Sequence, residues 1–171
     1  PGQRVAVAVG SRGIAELPRL VQTVVEEIKS RGAEPFIVPA MGSHGGATAE
    51  GQTAMLATLG VAPASAGCSI ADSMDAPILA TFAGGVPLHF SQAALEADHV
   101  VMLNRVKPHT DFQGPIESGL AKMLAIGLGK RLGAVGIHSI GPRGLRDRIA
   151  PIARLAIEQR PCPEDWAALP F

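Results

Sequence analysis

Arg4 to Val9, RVAVAV, is followed at once by Gly10, Ser11, Arg12 and Gly13 and then by a helical pattern, and this succession constrains the fold more than any other feature. The run is rich in β-branched residues and suits a buried strand. Leu17, Leu20, Val21, Val24, Val25 and Ile28 then recur at helical spacing, which predicts a helix over Leu17 to Arg31 with Gly32 at its C-terminal cap. The unit repeats. Pro35 to Pro39 reads as a short strand, Met41 to Ala47 as a glycine-rich loop, and Thr48 as the cap of a helix that runs to about Leu59 and stops at Gly60. Strand and helix in alternation predict a single α/β domain with a mixed, mostly parallel sheet and flanking helices, a Rossmann-like open sheet. In such sheets ligands gather at the carboxyl edge of the strands, where loop amides and helix N-termini converge.

The remaining pattern fills out that architecture. Ile78 to Phe82 and Val86 to Phe90 flank Ala83-Gly84-Gly85 and predict a hairpin, hence an antiparallel element in the sheet. Ser91 is expected to cap a short helix to Ala97, and His99 to Leu103 to form the next buried strand. A helix is expected over Ile116 to Leu128, then a glycine-interrupted stretch around Ala134 to Gly136, then an amphipathic helix from about Arg143 to Glu158 that Pro151 interrupts or kinks.

Composition excludes several classes of function. Fifteen basic residues balance fifteen acidic ones and aromatics are few, so no electrostatic footprint or stacking platform for nucleic acid is visible. The apolar residues fall in short runs, none near the ~18 needed to span a bilayer. With 171 residues the chain is large enough to bury a core without disulfides. Cys68 and Cys162 are far apart and fit no C-x-x-C pattern, which, with no signal peptide in view, predicts a soluble protein of the reducing cytoplasm.

The chemistry concentrates in three loops and one helix. The loops carry Ser11 and Arg12, His44 within MGSHGG, and Lys107, His109 and Asp111; in a parallel sheet all three open on one edge. Lys-Pro-His at 107 to 109 keeps the backbone extended before the proline and sends His109 past the strand end into a cleft. Lys122 lies in a helical run of Leu120, Met123, Leu124 and Ile126, where an ammonium is costly unless it is paired, deprotonated or chemically committed. His44 and His109 on facing loops suit a pair of general acid/base groups. The same segments also read as a tight loop with a solvated His44 and as a His109 that hydrogen-bonds within its own loop. His89 and His99 fall in strands and receive no role. His138 is a lone imidazole without a Cys, Asp or Glu cluster around it, so any metal it binds must bring other donors. Neither G-x-x-x-x-G-K-[ST] nor G-x-G-x-x-G is present, which disfavours a free nicotinamide cofactor.

Arg12 in GSRG, His44 in GSHGG, KPHTDFQGPIESGLAKML and IGLGKRLGAVGIH together resemble the N-terminal domain of the lactate racemase family, whose members use a nickel-pincer nucleotide. The resemblance runs from about residue 4 to residue 158. It implies that Lys122 joins the cofactor through a thioamide. It implies further that His138, 16 residues later, completes a nickel coordination begun by the cofactor's own carbon and sulfurs. His44 and His109 become the two proton-transfer groups acting on a 2-hydroxyacid, and Ser11, Arg12 and Lys107 cofactor contacts. Two departures stand out. VGSRG replaces the family's Asp-x-Thr-Arg-Pro loop, so Arg12 carries over while the aspartate does not, and DFQGPIESG replaces a Gly-Phe-Ser-Gly-Gly run, which changes the pocket lining. Family members also carry a C-terminal domain that closes over the cofactor. This chain, which begins at Pro1 and ends on an apolar run to Phe171, is therefore expected to be the cofactor-carrying half, able to fold but not to catalyse alone. The alternative of another class is a non-catalytic module that binds a nucleotide or anion, with His44 and Lys107 on phosphates.

Overall fold

A computed structural model describes residues 2–109, 113–114, 116–139 and 141–159. Strands β1 (Arg4–Val9), β2 (Glu34–Pro39) and β5 (His99–Leu103) form a sheet in the order β2-β1-β5 with both pairings parallel. Between β2 and β5 lie the hairpin strands β3 (Ile78–Phe82) and β4 (Val86–His89). Beside β2 the chain at Ser69 to Ala71 adds two parallel main-chain hydrogen bonds to Ile37.

The central strand explains why helices are needed on both faces. Ala6 and Ala8 point into one apolar cluster, and Val7 and Val9 into another. This is the period-two alternation of a strand with no polar side. On the Val7 face, α1 (Leu17–Ser30) buries Leu17, Val21 and Val25, and α2 (Ala49–Thr58) contributes Leu56. A short α3 (Pro63–Ala66), which the pattern of apolar residues had not signalled, closes this side with Ala66. On the Ala6 face sit α6 (Lys130–His138) and α7 (Gly141–Gln159), with Ala134, Ile137, Ile149 and Ile152 in contact with the sheet-side cluster.

Thr48 caps α2 as expected, its hydroxyl accepting from the Gly51 N–H at 3.0 Å. Gly51 is fixed for another reason: a Cβ there would lie 1.8 Å from the Gly45 carbonyl oxygen, in the 3-10 turn Gly45–Ala47. Backbone cannot rotate out of the way. Gly51→Ala is expected to cost 1–3 kcal/mol or more by overpacking, roughly, read as a lower urea midpoint. An unchanged midpoint would mean that the turn moves freely.

Several boundaries differ from expectation, each with a cause. The hairpin forms its own two-stranded antiparallel sheet, packed on α6 and α7 rather than added to the parallel one. Leu88 and Phe90 join the helix-covered core, and that burial decides its place. Ser91 precedes α4 (Gln92–Leu95), but its hydroxyl makes no cap and, though buried, has no hydrogen-bond partner among the described residues. The helix expected from Ile116 starts at Leu120 instead. Glu117 and Ser118 spend their side chains on loop backbone, and Gly119, at φ 84 and ψ −158, is not helical. After α5 (Leu120–Lys122) a π-helical turn follows at Met123–Gly127. The glycine-interrupted stretch around Ala134 is helix α6, and α7 continues through Pro151. No helix of the described residues is long and apolar enough to cross a membrane.

Candidate active site

All three loops at the carboxyl ends of β1, β2 and β5 open into one cleft of about 920 Å³, counted with its open mouth. The first contributes Gly10, Ser11 and Arg12, the second Met41, Ser43 and His44, and the third Asn104, Arg105, Lys107 and His109. Lys122 enters from α5 and His138 from the end of α6. Ser11, Arg12, His44, Lys107, His109, Lys122 and His138, all named from the sequence, therefore meet the same space. Asp111 lies outside the described residues, as do Cys162 and the apolar run to Phe171. His89 and His99 are away from the cleft: His89 Nδ1 lies 2.8 Å from the Ala76 carbonyl and His99 Nε2 3.3 Å from Gln3 Oε1.

The first loop leaves β1 beside the third. Gly10 N–H donates to the Leu103 carbonyl at 3.3 Å, which continues the β1–β5 ladder one residue beyond the strands. Ser11 then reaches the neighbouring loop, its Oγ 2.6 Å from His44 Nδ1. That contact orients the imidazole. Burial of the ring's inner side, then the positive charges of Arg12, Lys122 and His138, lower the His44 pKa below 6.5. At neutral pH this histidine is an uncharged base.

His138 has a fixed tautomer. Its Nδ1 lies 2.6 Å from the Ala134 carbonyl, which can only accept, so Nδ1 carries a proton and, in the neutral ring, the lone pair lies on Nε2. The third loop is held by a residue that the sequence had not marked. Glu117 accepts from the main-chain N–H groups of His109 (2.8 Å) and Gly114 (3.0 Å). Those two bonds hold its carboxyl below the ordinary range, so the carboxylate stays ionised. Ser118 adds a reciprocal pair with Lys107, accepting from its N–H at 2.7 Å and donating to its carbonyl at 2.6 Å. The Lys107 ammonium donates to the Pro108 carbonyl at 2.9 Å.

Lys122 is half-buried at the cleft wall rather than enclosed in the apolar core. The lysine that is enclosed is Lys130, 0% exposed, its Nζ donating to the Pro39 carbonyl at 2.8 Å. Burial drives its pKa down to about 8, with Asp72 partly opposing. The cost argument applied to Lys122 applies with more force here. Its signal was present: a second lysine at the end of the apolar AIGLGK run.

Among the described residues no group of three or more His, Cys, Asp and Glu side chains could hold a metal ion. A metal in this cleft would take one nitrogen from His138 and further donors from a ligand. Compared with known families, residues 8–162 match the model of the domain of unknown function DUF362. The chain belongs to the DUF362 family. Its cleft lies within the matched span, so every residue of the DUF362 site discussed above is part of the family domain. That description names no activity, and no curated protein matches this DUF362 chain.

Proposed function

We propose that this domain is the cofactor-carrying part of a lactate racemase-like 2-hydroxyacid racemase or epimerase. The observation that supports the reading is the meeting of His44, His109, Lys122 and His138 in one cleft, with His138 Nε2 left available by the bond at Nδ1. An imidazole oriented through Nδ1, as that of His138 is, suits a cofactor that brings further metal donors of its own. In this reading Lys122 holds the nickel-pincer nucleotide covalently and His138 supplies one nitrogen to the metal. Ser11, Arg12 and Lys107 contact the cofactor or the substrate carboxylate. When bound, the cofactor supplies the two-electron acceptor that carbon inversion requires.

The chain's own residues handle the proton. Uncharged His44, or His109 across the cleft, takes the hydroxyl proton of the substrate as electrons leave the carbon, and the same class of group returns it to the product oxygen. Two bases on two loops let substrates of either hand be served. Arg12 opposite the carboxylate keeps the reacting carbon in register. A cytoplasmic setting accords with this chemistry: Cys68 is a free thiol that burial keeps protonated, its pKa raised.

A second reading rests on the cleft's charge. Arg12, Arg105, Lys107 and Lys122 line it, and none of the described lining residues is a carboxylate, so it suits an anion held without turnover. Intact mass separates the two. Protein produced alongside the cofactor's biosynthetic enzymes is expected to carry a covalent increment that Lys122→Ala abolishes, and His138→Ala is expected to lose nickel while keeping the increment. If the increment survives Lys122→Ala, or nickel content is unchanged in His138→Ala, the corresponding assignment is wrong. If no increment forms at all, the anion-binding reading stands.

A further inference from the structure

Two fully buried polar side chains reach the loop that carries His44, and each is an expensive choice for its position. Gln52, 0% exposed on α2, donates from Nε2 to the carbonyls of Gly42 at 2.9 Å and His44 at 3.3 Å. Its Oε1 is buried with no hydrogen-bond partner among the described residues. An apolar side chain would leave no such orphan, so the amide's use lies in its two N–H groups. Lys130 donates to the carbonyl of Pro39, the last residue before the loop, while holding a backbone φ of 52 that side-chain-bearing residues seldom adopt. Strain and desolvated polar groups that converge on one segment are a mark of a position held for function.

The attachments have a direction. Lys130 belongs to the element that follows the π turn, and the Gly42 N–H donates to Gly127 at the end of that turn, at 3.1 Å. Lys122 ends α5 just before the turn, and His138 ends α6 eight residues after Lys130. Gln52 grips the loop from the other layer, α2. The 39–44 backbone is thus tied at Pro39 and Gly42 to the Lys122–His138 segment, and at Gly42 and His44 to α2.

We propose that Gln52 and Lys130 are positioning residues that set His44 against Lys122 and His138 by holding the main-chain carbonyls of Pro39, Gly42 and His44. Neither lines the cleft. The two grip the segment at opposite ends, so loss of either frees a different end. Gln52 acts nearest His44, and its removal releases the Ser11 to His44 contact first.

The test reads the imidazole directly in the full 171-residue chain. In Gln52→Met, which keeps volume and removes the donors, the side-chain nitrogen signals of His44 are expected to lose the signature of the Ser11 contact at Nδ1. Amide exchange at Gly42 and His44 should rise by about threefold to tenfold for each hydrogen bond lost. The signals of His89 and His99 should stay in place, since a general loosening would move them too. Lys130→Met should shift the Gly42 amide, and Lys130→Arg, which keeps a donor, should restore it in part. A folded Gln52→Met with unaltered His44 nitrogen signals overturns the role of Gln52. Should that variant not fold, Lys130→Met with an unmoved Gly42 amide and unmoved His44 signals overturns the proposal as a whole. Equal displacement of all the described histidines would mean that the two residues merely stabilise the fold.

Discussion

If the domain serves the racemase proposed above, replacing His109 with alanine is expected to lower racemisation from either enantiomer by about two to four orders of magnitude, the usual worth of a general acid/base group. The fold should survive, because the N–H of residue 109 donates to Glu117 and alanine keeps that bond. Loss of rate therefore reports the imidazole and not the loop. His44→Ala should match it, since the N–H of residue 44 still donates to Met41 at 3.1 Å after the side chain is gone. The double variant decides whether the two act as a pair. If each histidine serves one face of the substrate, removing the second after the first costs little more, because a reaction that must pass both groups is already blocked. The assay follows inversion from each pure enantiomer with cofactor-loaded protein that includes any further domain. Near-normal turnover after His109→Ala would reduce that histidine to a loop residue.

Between pH 8 and pH 10.5 the domain is expected to become more stable as pH rises, by roughly 3 kcal/mol from Lys130 alone. The sign follows from where the proton sits. In the unfolded chain this lysine titrates near 10.5, and in the folded domain near 8, because burial disfavours the ammonium. Through that window the unfolded state binds more protons than the folded one, so stability climbs. Below pH 8 both states are protonated and the full cost of enclosing the charge applies; above 10.5 both are neutral and the contribution is complete. Urea unfolding of the wild type and of Lys130→Met at pH 7.5 and about pH 10.5 isolates the group. The variant should lack the climb, whatever its absolute stability after losing the bond to Pro39. Parallel pH profiles for the two proteins would show that the buried amine keeps an ordinary pKa.

The parts of this architecture that sequence revealed are those set by short-range pattern. RVAVAV could only be a buried strand, and Thr48 and Gly60 punctuate α2 by local chemistry. Once the strands were parallel, the loops with Ser11, His44 and His109 had to share an edge. What stayed hidden depends on contacts between distant residues. Whether the hairpin joined the sheet turned on Leu88 and Phe90 finding helices α6 and α7, forty or more positions away in sequence. Glu117 looked like the first turn of a helix because its use, holding the N–H groups of His109 and Gly114, is invisible in linear order. Gln52 was missed for the same reason, because its partners are main-chain carbonyls that no side-chain pattern announces, whereas the enclosure of Lys130 was signalled by the apolar run that it ends.

The π turn at Met123–Gly127 changes what the interval between Lys122 and His138 means. Sixteen residues of uninterrupted α-helix would separate the two by about 24 Å. Both instead border one cleft, and the path between them is not one straight helix: α5 passes into the π turn, and α6 starts at Lys130 with a left-handed φ of 52. A π turn accommodates one residue more than the α turn it replaces. Deleting one residue there, with the turn reverting to ordinary helix, would leave Lys122 at nearly the same angle about the axis, whereas the same deletion in an uninterrupted helix would swing it by about 100°. A relative lacking the extra residue could keep both side chains at the cleft across a spacing one residue shorter. The wide turn is thus a register device, and the count of residues between lysine and histidine is a property of the turn's winding before it is a signature of the chemistry.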